Sequence, residues 1–459
     1  MDYITRRRQE LDRLYNQLPE LSEDQKSVSQ QICAGNNVFL TGSPGCGKSV
    51  SLLSVVRDLL KRGYKKERDF YLAAPTGVAA YLIGGLTLHR AFSLPVTTPS
   101  DFEEAYEAVF SMKRRSWFRL KYLIIDEISM VSGRNFSMVD YFLKRAKKNT
   151  RPFGGVTVLC VGDFCQLPPV PNTGETEDTV QFAFETQAWK DAQFRTVNLT
   201  IPFRQLGDTL FIDLITRMRY GQTTKEDVGL LLERCNIELE KDQYGVEPTY
   251  LFTHRYMVDE MNQQKLDELP TPLIKLKSKD FYQNDYWKKE LEKICPSPPI
   301  LKLKAGAQIM VTRNIYHDGT DILILTNGTR GVVQEIGVEE LEVEDGTLDC
   351  TIAVKCIFET GVTYKFYPQM TEWAIDGKKE RFASRLQIPL MLCWALTVHK
   401  SQGQTIPRGY ICIDEAFASG QVMVAVSRFR ALKTLGIIGT VDPRKITVNQ
   451  RVIDFYNQL

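Results

Sequence analysis

The sequence predicts an α/β protein built from two parallel-sheet units, the second interrupted by an antiparallel β module. Three observations predict this. Short, near-continuous apolar runs alternate with helical stretches in both halves of the chain, as expected for strands covered on both faces. The segment GSPGCGKS, Gly42–Ser49, lies between one such run and a helical stretch. From about residue 271 to 385 the texture changes to alternating strands, Gly turns and acidic loops, which reads as a β insertion.

In the first half the strands fall at NNVFLTG, RDFYLAAPT, KYLIIDE and VTVLCVGD. In the second half they fall at FRTVNLT, PTYLFTH, GYICIDEA and TLGIIGT. Helices at Lys48 to Lys61 and Leu210 to Arg219 separate them, giving the strand–helix alternation of parallel sheets. The inserted module carries GAQIMVTRN, TRGVVQEIG, LDCTIAVKCIF and VTYKFYPQ. A smaller insertion is expected at about residues 93–119, after TLHRAF.

A length of 459 residues exceeds what one small core organises. Hydrophobic residues make up 43% and charged residues 25%, ordinary for a soluble globular protein. No apolar run reaches the ~18–20 residues of a membrane span. The first residues carry three Arg with no apolar core and three acids, Asp2, Glu10 and Asp12. That argues against a secretory or mitochondrial leader, and for a short amphipathic helix over residues 1–20 rather than a nuclear address at Arg6–Arg8. The ten Cys are scattered without CxxC spacing, which predicts reduced thiols in a cell interior. With 58 Lys and Arg against 56 Asp and Glu, any nucleic-acid surface must be a local arrangement of charge.

Gly42–Ser49 fits G-x-x-x-x-G-K-[ST] in full, after a strand and before a helix. Ser43, Pro44, Gly45, Cys46 and Gly47 form the loop, and its backbone N–H groups, Pro44 excepted, suit phosphate oxygens. Lys48 would reach the β- and γ-phosphates, and Ser49 would hold Mg²⁺. Asp126 and Glu127 end the apolar run LIIDE. Asp126 suits the Mg²⁺ shell and Glu127 the positioning of a lytic water. Gln166, in GDFCQLPP, is neutral and can bond both a γ-phosphate oxygen and water. Gln25, in LSEDQ, fits an adenine contact, and Ser22-x-x-Gln25 equally fits a capping box.

The ordered segments APTGVAA, TLHRAF, IIDEISM, GDFCQLPPV, LTIPFRQLGDTLFIDLITRMRYG, LKAGAQIMVTRN, NGTRGVV, WALTVHKSQGQT and FASGQVMVAVSR closely resemble the Pif-type DNA helicases. The resemblance runs from about Leu21 to the C-terminus, and Leu199 to Gly221 looks like the family's signature segment. It implies two RecA-like domains: the first over 21–195 with a wedge insertion, the second over 196–270 and 386–459. Residues 271–385 become an SH3-like insertion. It also implies ATP-driven 5′-to-3′ translocation on single-stranded DNA, with unwinding of duplex and of G-quadruplexes, in replication, repair, recombination or telomere maintenance. Residue by residue, it assigns Arg204 and Arg428 to the second domain as groups reaching the γ-phosphate. Gln402 and Gly403 turn toward the nucleotide. DNA contacts fall on Pro75, Thr76, Gly77, His89, Phe92, Thr397, His399 and Lys400. The Pro at position 202, just before Phe203 and Arg204, departs from the usual pattern and alters the local loop.

Two further stretches mix cations with aromatics. SMKRRSWFR (Ser111 to Arg119) either flanks the DNA track or is a solvated helix with Trp117 packed inward. FYQNDYWKK in the insertion has the same two readings. The expected partners are ATP, Mg²⁺, single-stranded DNA and tailed or forked duplex, acting on a chain monomeric when free, in a DNA-containing compartment. An RNA helicase and a non-unwinding, DNA-loading ATPase are the competing readings.

Overall fold

The computed structural model describes residues 15–95, 101–171, 175–205, 207–317, 323–342, 348–374 and 381–459. Most of the expected N-terminal helix, and residues 96–100 of the expected wedge, lie outside them. The chain forms two compact units. One comprises Met1–Thr224, Ala418–Ser427 and Ile446–Leu459, the other Lys225–Phe417 and Arg428–Lys445. Among the described residues, no helix is long and apolar enough to cross a membrane.

The first unit is organised on a six-stranded sheet: β1 (Val38–Gly42), β2 (Phe70–Ala74), β3 (Leu86–Thr87), β4 (Tyr122–Ile125), β5 (Thr157–Val161) and β6 (Arg195–Leu199). The order is β3-β2-β4-β5-β1-β6, and every pairing is parallel. β1 and β2 are buried at every position, which is why their sequences read as unbroken apolar runs. The helix Glu23–Cys33 starts on the predicted capping box: Gln25 N donates to Ser22 Oγ, and Ser22 N donates to Gln25 Oε1.

Two segments of the first unit differ from the sequence reading. Arg195–Leu199 was expected to open the second domain. It instead pairs along its whole length with β1, because a parallel sheet whose β1 is fully buried needs a neighbour on that side too. The C-terminal helix Gln450–Tyr456 also packs in the first unit, where Phe455 stacks on Phe184 at 4.3 Å.

The helix Phe102–Arg119 contains the SMKRRSWFR stretch. Trp117 is completely buried, and its Nε1 donates to the Ala91 carbonyl at 3.3 Å. Its ring stacks on Phe92 at 5.8 Å and lies 5.5 Å from Phe142. The inward-packed reading of Trp117 therefore describes this helix. The side chains of 110–115 lie outside the described residues.

The second unit holds a four-stranded parallel sheet in the order Ala395–Thr397, Thr249–Phe252, Gly409–Cys412, Leu435–Ile438. Its inserted module centres on a five-stranded antiparallel sheet: Thr363–Phe366, Leu348–Phe358, Arg330–Glu342, Gln308–Val311, Leu390–Leu392. Ile309, Val333, Val354, Phe358 and Phe366 form part of its core. The edge strand Leu390–Leu392 lies beyond the boundary at 385 expected from sequence. Two antiparallel pairs (Ile274–Lys277 with Ile300–Leu303, and Ile315–Tyr316 with Leu323–Leu325) and a three-stranded sheet (Gln369–Ala374, Arg381–Gln387, Lys279–Tyr282) also belong to the module.

Trp117→Ala removes the centre of the aromatic cluster and leaves a large cavity. We expect a loss of about 3–5 kcal/mol, read as a lower urea midpoint in equilibrium unfolding.

Candidate functional site

The order β4-β5-β1 brings three C-terminal strand ends side by side, spaced by about 4.8 Å per strand. Asp126 and Glu127 follow β4, Gly162–Gln166 follow β5, and the glycine loop follows β1. This is the edge where open α/β sheets bind ligands. The sequence-predicted groups of the first unit thus meet by topology.

Glycine in the loop is required for two reasons. Gly45 and Gly47 have φ of +87° and +81°, and Gly47 caps the helix Lys48–Lys61 in the left-handed region. A Cβ at Gly45 would meet Arg204 Cβ at 2.7 Å, and one at Gly47 would meet Gln25 Nε2 at 2.4 Å. Lys48 Nζ donates to the carbonyls of Gly42 (2.6 Å) and Ser43 (3.1 Å). Burial lowers its pKa, opposed by the Asp163 carboxylate. Ser49 is exposed at the start of the helix.

Asp126 is buried, and its Oδ1 accepts from Glu127 N at 3.0 Å. Burial, then the neighbouring Glu127, push its carboxyl up to about 7. Glu127 itself has φ +50°, ψ +48°, a strained conformation for a non-glycine residue. A buried carboxylate under this pressure is a natural cation ligand. Asp126 with the Ser49 hydroxyl supplies the hard oxygen donors that Mg²⁺ takes, alongside phosphate and water. These residues fit Mg²⁺.

Sequence reasoning missed the network beneath this edge. Asp163 is completely buried and forms a bidentate ion pair with Arg219, Nε to Oδ2 at 2.9 Å and Nη2 to Oδ1 at 3.0 Å. Tyr456 OH donates to Asp163 Oδ1 at 3.0 Å, accepts from Phe164 N at 3.1 Å, and is 2.7 Å from Thr41 Oγ1. The Arg219 guanidinium lies 5.0 Å from the Tyr456 ring centroid. Burial would raise the Asp163 carboxyl, but Arg219 and Lys48 outweigh it and leave it below the usual range. Asp163 also shapes the turn to Gln166: its Oδ1 accepts from Cys165 N, and its carbonyl accepts from Gln166 N at 2.9 Å. Only the position of Asp163 beside Gln166, in GDFCQ, signalled it in sequence.

Arg204 is corrected in position. It was expected in the second domain, yet it belongs to the first unit, beside the glycine loop. Its Nη1 and the Gln205 Nε2 both donate to the Ser427 carbonyl, at 3.1 and 3.2 Å. The reason is β6: once that strand joins the first sheet, the following turn falls over the loop end of β1. Gln25 Oε1 is used by the capping box, and its Nε2 reaches the Gly47 carbonyl at 3.4 Å. The capping-box role therefore accounts for the carboxamide in this structure. Phe203, 46% exposed, lies near the same glycine and presents an open ring.

The candidate DNA residues of the first unit follow β2 and β3, on the same edge. Thr76 caps the helix Gly77–Ile83, accepting from Ala79 N, with Pro75 and Gly77 beside it. His89 is half-buried in the helix Leu88–Phe92. Phe92 is corrected: it is fully buried, packed on Trp117 and Tyr71, so it is a core residue and presents nothing to a ligand.

In the second unit the parallel arrangement recurs. Thr397 ends a strand and caps the helix Val398–Ser401, accepting from Lys400 N. His399 is half-buried, and burial lowers its pKa. Lys400 is exposed. Gln402 and Gly403 turn the chain, the latter at φ +79°. Arg428 is buried and donates to the Ser401 carbonyl at 3.5 Å. One turn therefore joins the His399–Lys400 pair to Arg428.

A strand, glycine loop and helix, closed on Lys48 beside an acidic strand end, define a P-loop nucleotide-binding protein. Residues 20–229 match the model of the PIF1-like helicase family. The chain is 34% identical over 440 residues to the ATP-dependent DNA helicase PIF1 of Xenopus laevis, covering 96% of this chain and 64% of that protein. It is 32% identical to the ATP-dependent DNA helicase RRM3 of Saccharomyces cerevisiae, covering 95% and 67%. The crystal structure of Pif1 helicase from Candida albicans superposes with a TM-score of 0.77 at 31% identity, over 96% of this chain and 100% of that one. That of Bacteroides sp Pif1 in complex with ADP-AlF4 gives 0.75 at 31%, over 96% and 97%. The chain belongs to the PIF1-like helicase family, and its two parallel sheets flanked by helices are that family's RecA-like fold. It spans about 64% of the length of the vertebrate relatives from Xenopus laevis, Danio rerio and Homo sapiens.

Two outcomes are expected. Arg219→Met strands a buried Asp163 charge and costs about 3–5 kcal/mol, and adding Asp163→Asn recovers most of it; denaturant unfolding of wild type and the two variants measures this. Asp126 is protonated more readily folded, at about 7, than at its ordinary 3.8. In EDTA, stability is therefore lost as pH rises through that window. Asp126→Asn removes this slope, so its melting temperature exceeds wild type by more at pH 8 than at pH 5, a difference differential scanning calorimetry reads directly.

Proposed function

We propose that this chain is an ATP-hydrolysing DNA helicase that moves 5′ to 3′ along single-stranded DNA and opens tailed or forked duplex. The observation that carries this is the shared sheet edge. Strand ends β4, β5 and β1 hold the phosphate and water-positioning groups, while β2 and β3 hold Thr76 and His89. Asp126 N donates to the Ala73 carbonyl at 2.8 Å, so the acidic strand end is bonded directly to the strand leading into Pro75 and Thr76. The names of the relatives, all ATP-dependent DNA helicases, support the same reading.

In this reading the loop N–H groups and Lys48 bind the β- and γ-phosphates. Mg²⁺, held by Ser49 and Asp126, supplies neutralisation of phosphate charge when bound. Glu127 orients and polarises the attacking water. Gln166 bonds the γ-phosphate, and its turn is fixed by Asp163. Arg204 and Arg428 each stabilise transition-state charge; such arginines are worth about 10³–10⁵ in rate. Gln402 and Gly403 carry the link between Arg428 and the Thr397–His399–Lys400 turn, which faces the DNA backbone. Residues 271–385 serve as an accessory β module, and the chain acts as a monomer when free, in a DNA-containing compartment. G-quadruplexes are a further substrate class.

The test is strand separation on forked duplexes with either a 5′ or a 3′ single-stranded tail, in DNA and in RNA. Unwinding is expected with the 5′ DNA tail only, and Lys48→Ala abolishes both unwinding and DNA-stimulated ATPase. ATPase without strand separation identifies a loading ATPase instead, and preference for the RNA fork identifies an RNA helicase.

A further inference from the structure

The inserted module carries a feature that the proposed motor leaves unused. From Ile274 to Phe281 the chain is extended across two strands, broken only at Ser278. Burial alternates at every residue: Lys275, Lys277, Lys279 and Phe281 are exposed, while Ile274, Leu276, Ser278 and Asp280 are partly buried. The inward set is accounted for. Asp280 receives a bidentate bond from Arg385, itself buried, at 2.7 and 2.8 Å. The outward set is a row of three lysines ending in an aromatic ring that is 59% exposed. Alternate residues on a strand recur about every 6.7 Å, comparable with successive phosphates along an extended single strand.

Further exposed groups lie nearby, Tyr282 on the opposite face of its strand. Tyr282 is 44% exposed, and Lys288, from the helix Asp285–Ile294, places its Nζ 5.8 Å from the Tyr282 centroid. Ile300, opposite Lys277 on the paired strand, is exposed too. Among the described residues, none of Lys275, Lys277, Lys279, Lys288 and Lys289 enters an ion pair with a carboxylate.

We infer that the row formed by Lys275, Lys277, Lys279 and Phe281 is a second single-strand-binding surface, taking phosphates on the lysines and a base on the ring. A regular line of cations ending in an open aromatic face is the pattern that binds single strands without sequence readout. Duplex keeps its bases stacked and offers the ring nothing. Lysines that serve only to keep an edge strand from pairing with other chains would not need an exposed ring at the end of their row.

The inference rests on the proposed DNA reading, and the test separates the two. Fluorescence anisotropy on the full chain measures binding to oligothymidylates of about 8 and about 24 nucleotides, the shorter fitting one single-strand track. The probes are run against salt, beside a blunt duplex. Lys277→Gln with Lys279→Gln is expected to weaken the longer strand about tenfold. It should also reduce the magnitude of its log–log salt slope by about 1.4, at about 0.7 per lost phosphate contact. Phe281→Ala should weaken the longer strand about tenfold with the slope unchanged. Both variants keep wild-type affinity for the short strand and wild-type ATPase stimulated by it, which also shows that they fold. Equal losses on both lengths, no loss on either, or a loss confined to duplex would each overturn the inference while leaving the motor reading intact. A wild-type chain that binds neither oligothymidylate overturns both.

Discussion

The candidate site depends on one buried ion pair. Asp163 and Arg219 are 0% and 2% exposed, and desolvating two such charges costs several kcal/mol each. The chain repays this with two parallel charge-assisted bonds, a Tyr456 hydroxyl on the same carboxylate and aromatic faces on the guanidinium. Such an arrangement contributes little net stability for its complexity. Its return is geometric. Asp163 fixes the turn that presents Gln166, Arg219 ends the helix Thr209–Arg219, and Tyr456 comes from the last helix. Three distant parts of the sequence are thereby held to the end of β5. The same carboxylate acts on Lys48 through space, opposing the loss of its charge on burial.

The sheet order extends this logic. With β4, β5 and β1 adjacent, the acid, the glutamine turn and the phosphate loop need no long side chains to meet. Gly162, with φ +156°, lets the end of β5 pass close to Glu127: a Cβ there would lie 3.0 Å from Ile128 N. Gly420 does the same on another side, where a Cβ would stand 2.3 Å from the Cys165 carbonyl. The helix Gln421–Val426, which leads to Arg428, is thus seated on the backbone beside Gln166. Close packing at these glycines makes the edge stiff, and a stiff edge is what sustains the left-handed Glu127.

Much of this was legible in sequence because it is local. The glycine loop, the acidic strand end and the capping box are each written within eight residues, and each fell where its spacing placed it. The strands were legible because both faces are covered and the apolar runs are unbroken. What failed was long-range. Arg195–Leu199 has the pattern ArgThrValAsnLeu, with only Leu199 fully buried, so its sequence does not say which sheet it edges; assigning it to the wrong one carried Arg204 to the wrong unit. Phe92 was misread because an aromatic after a helical His looks the same whether it meets a base or Trp117, 25 residues on. Asp163–Arg219–Tyr456 joins positions separated by 56 and 293 residues, and no single-chain spacing encodes such a contact.

The threonines at the strand ends show why burial alone would undervalue some candidates. Thr76 and Thr397 both spend an acceptor lone pair on the helix they start, taking Ala79 N and Lys400 N at 3.2 Å. A hydroxyl has one proton and two lone pairs. Capping therefore leaves the proton free and fixes the oxygen's position, so that the O–H can donate to an anion without further ordering of the side chain. A residue that is structural by its acceptor can be functional by its donor. The parallel use in both units, at the end of a strand in each case, means that each sheet offers a pre-positioned hydroxyl at its C-terminal edge. The same separation of roles applies to Gln25. Its oxygen accepts from Ser22 N and its amide reaches the Gly47 carbonyl, so the carboxamide is held beside the glycine loop with one N–H and one lone pair unspent.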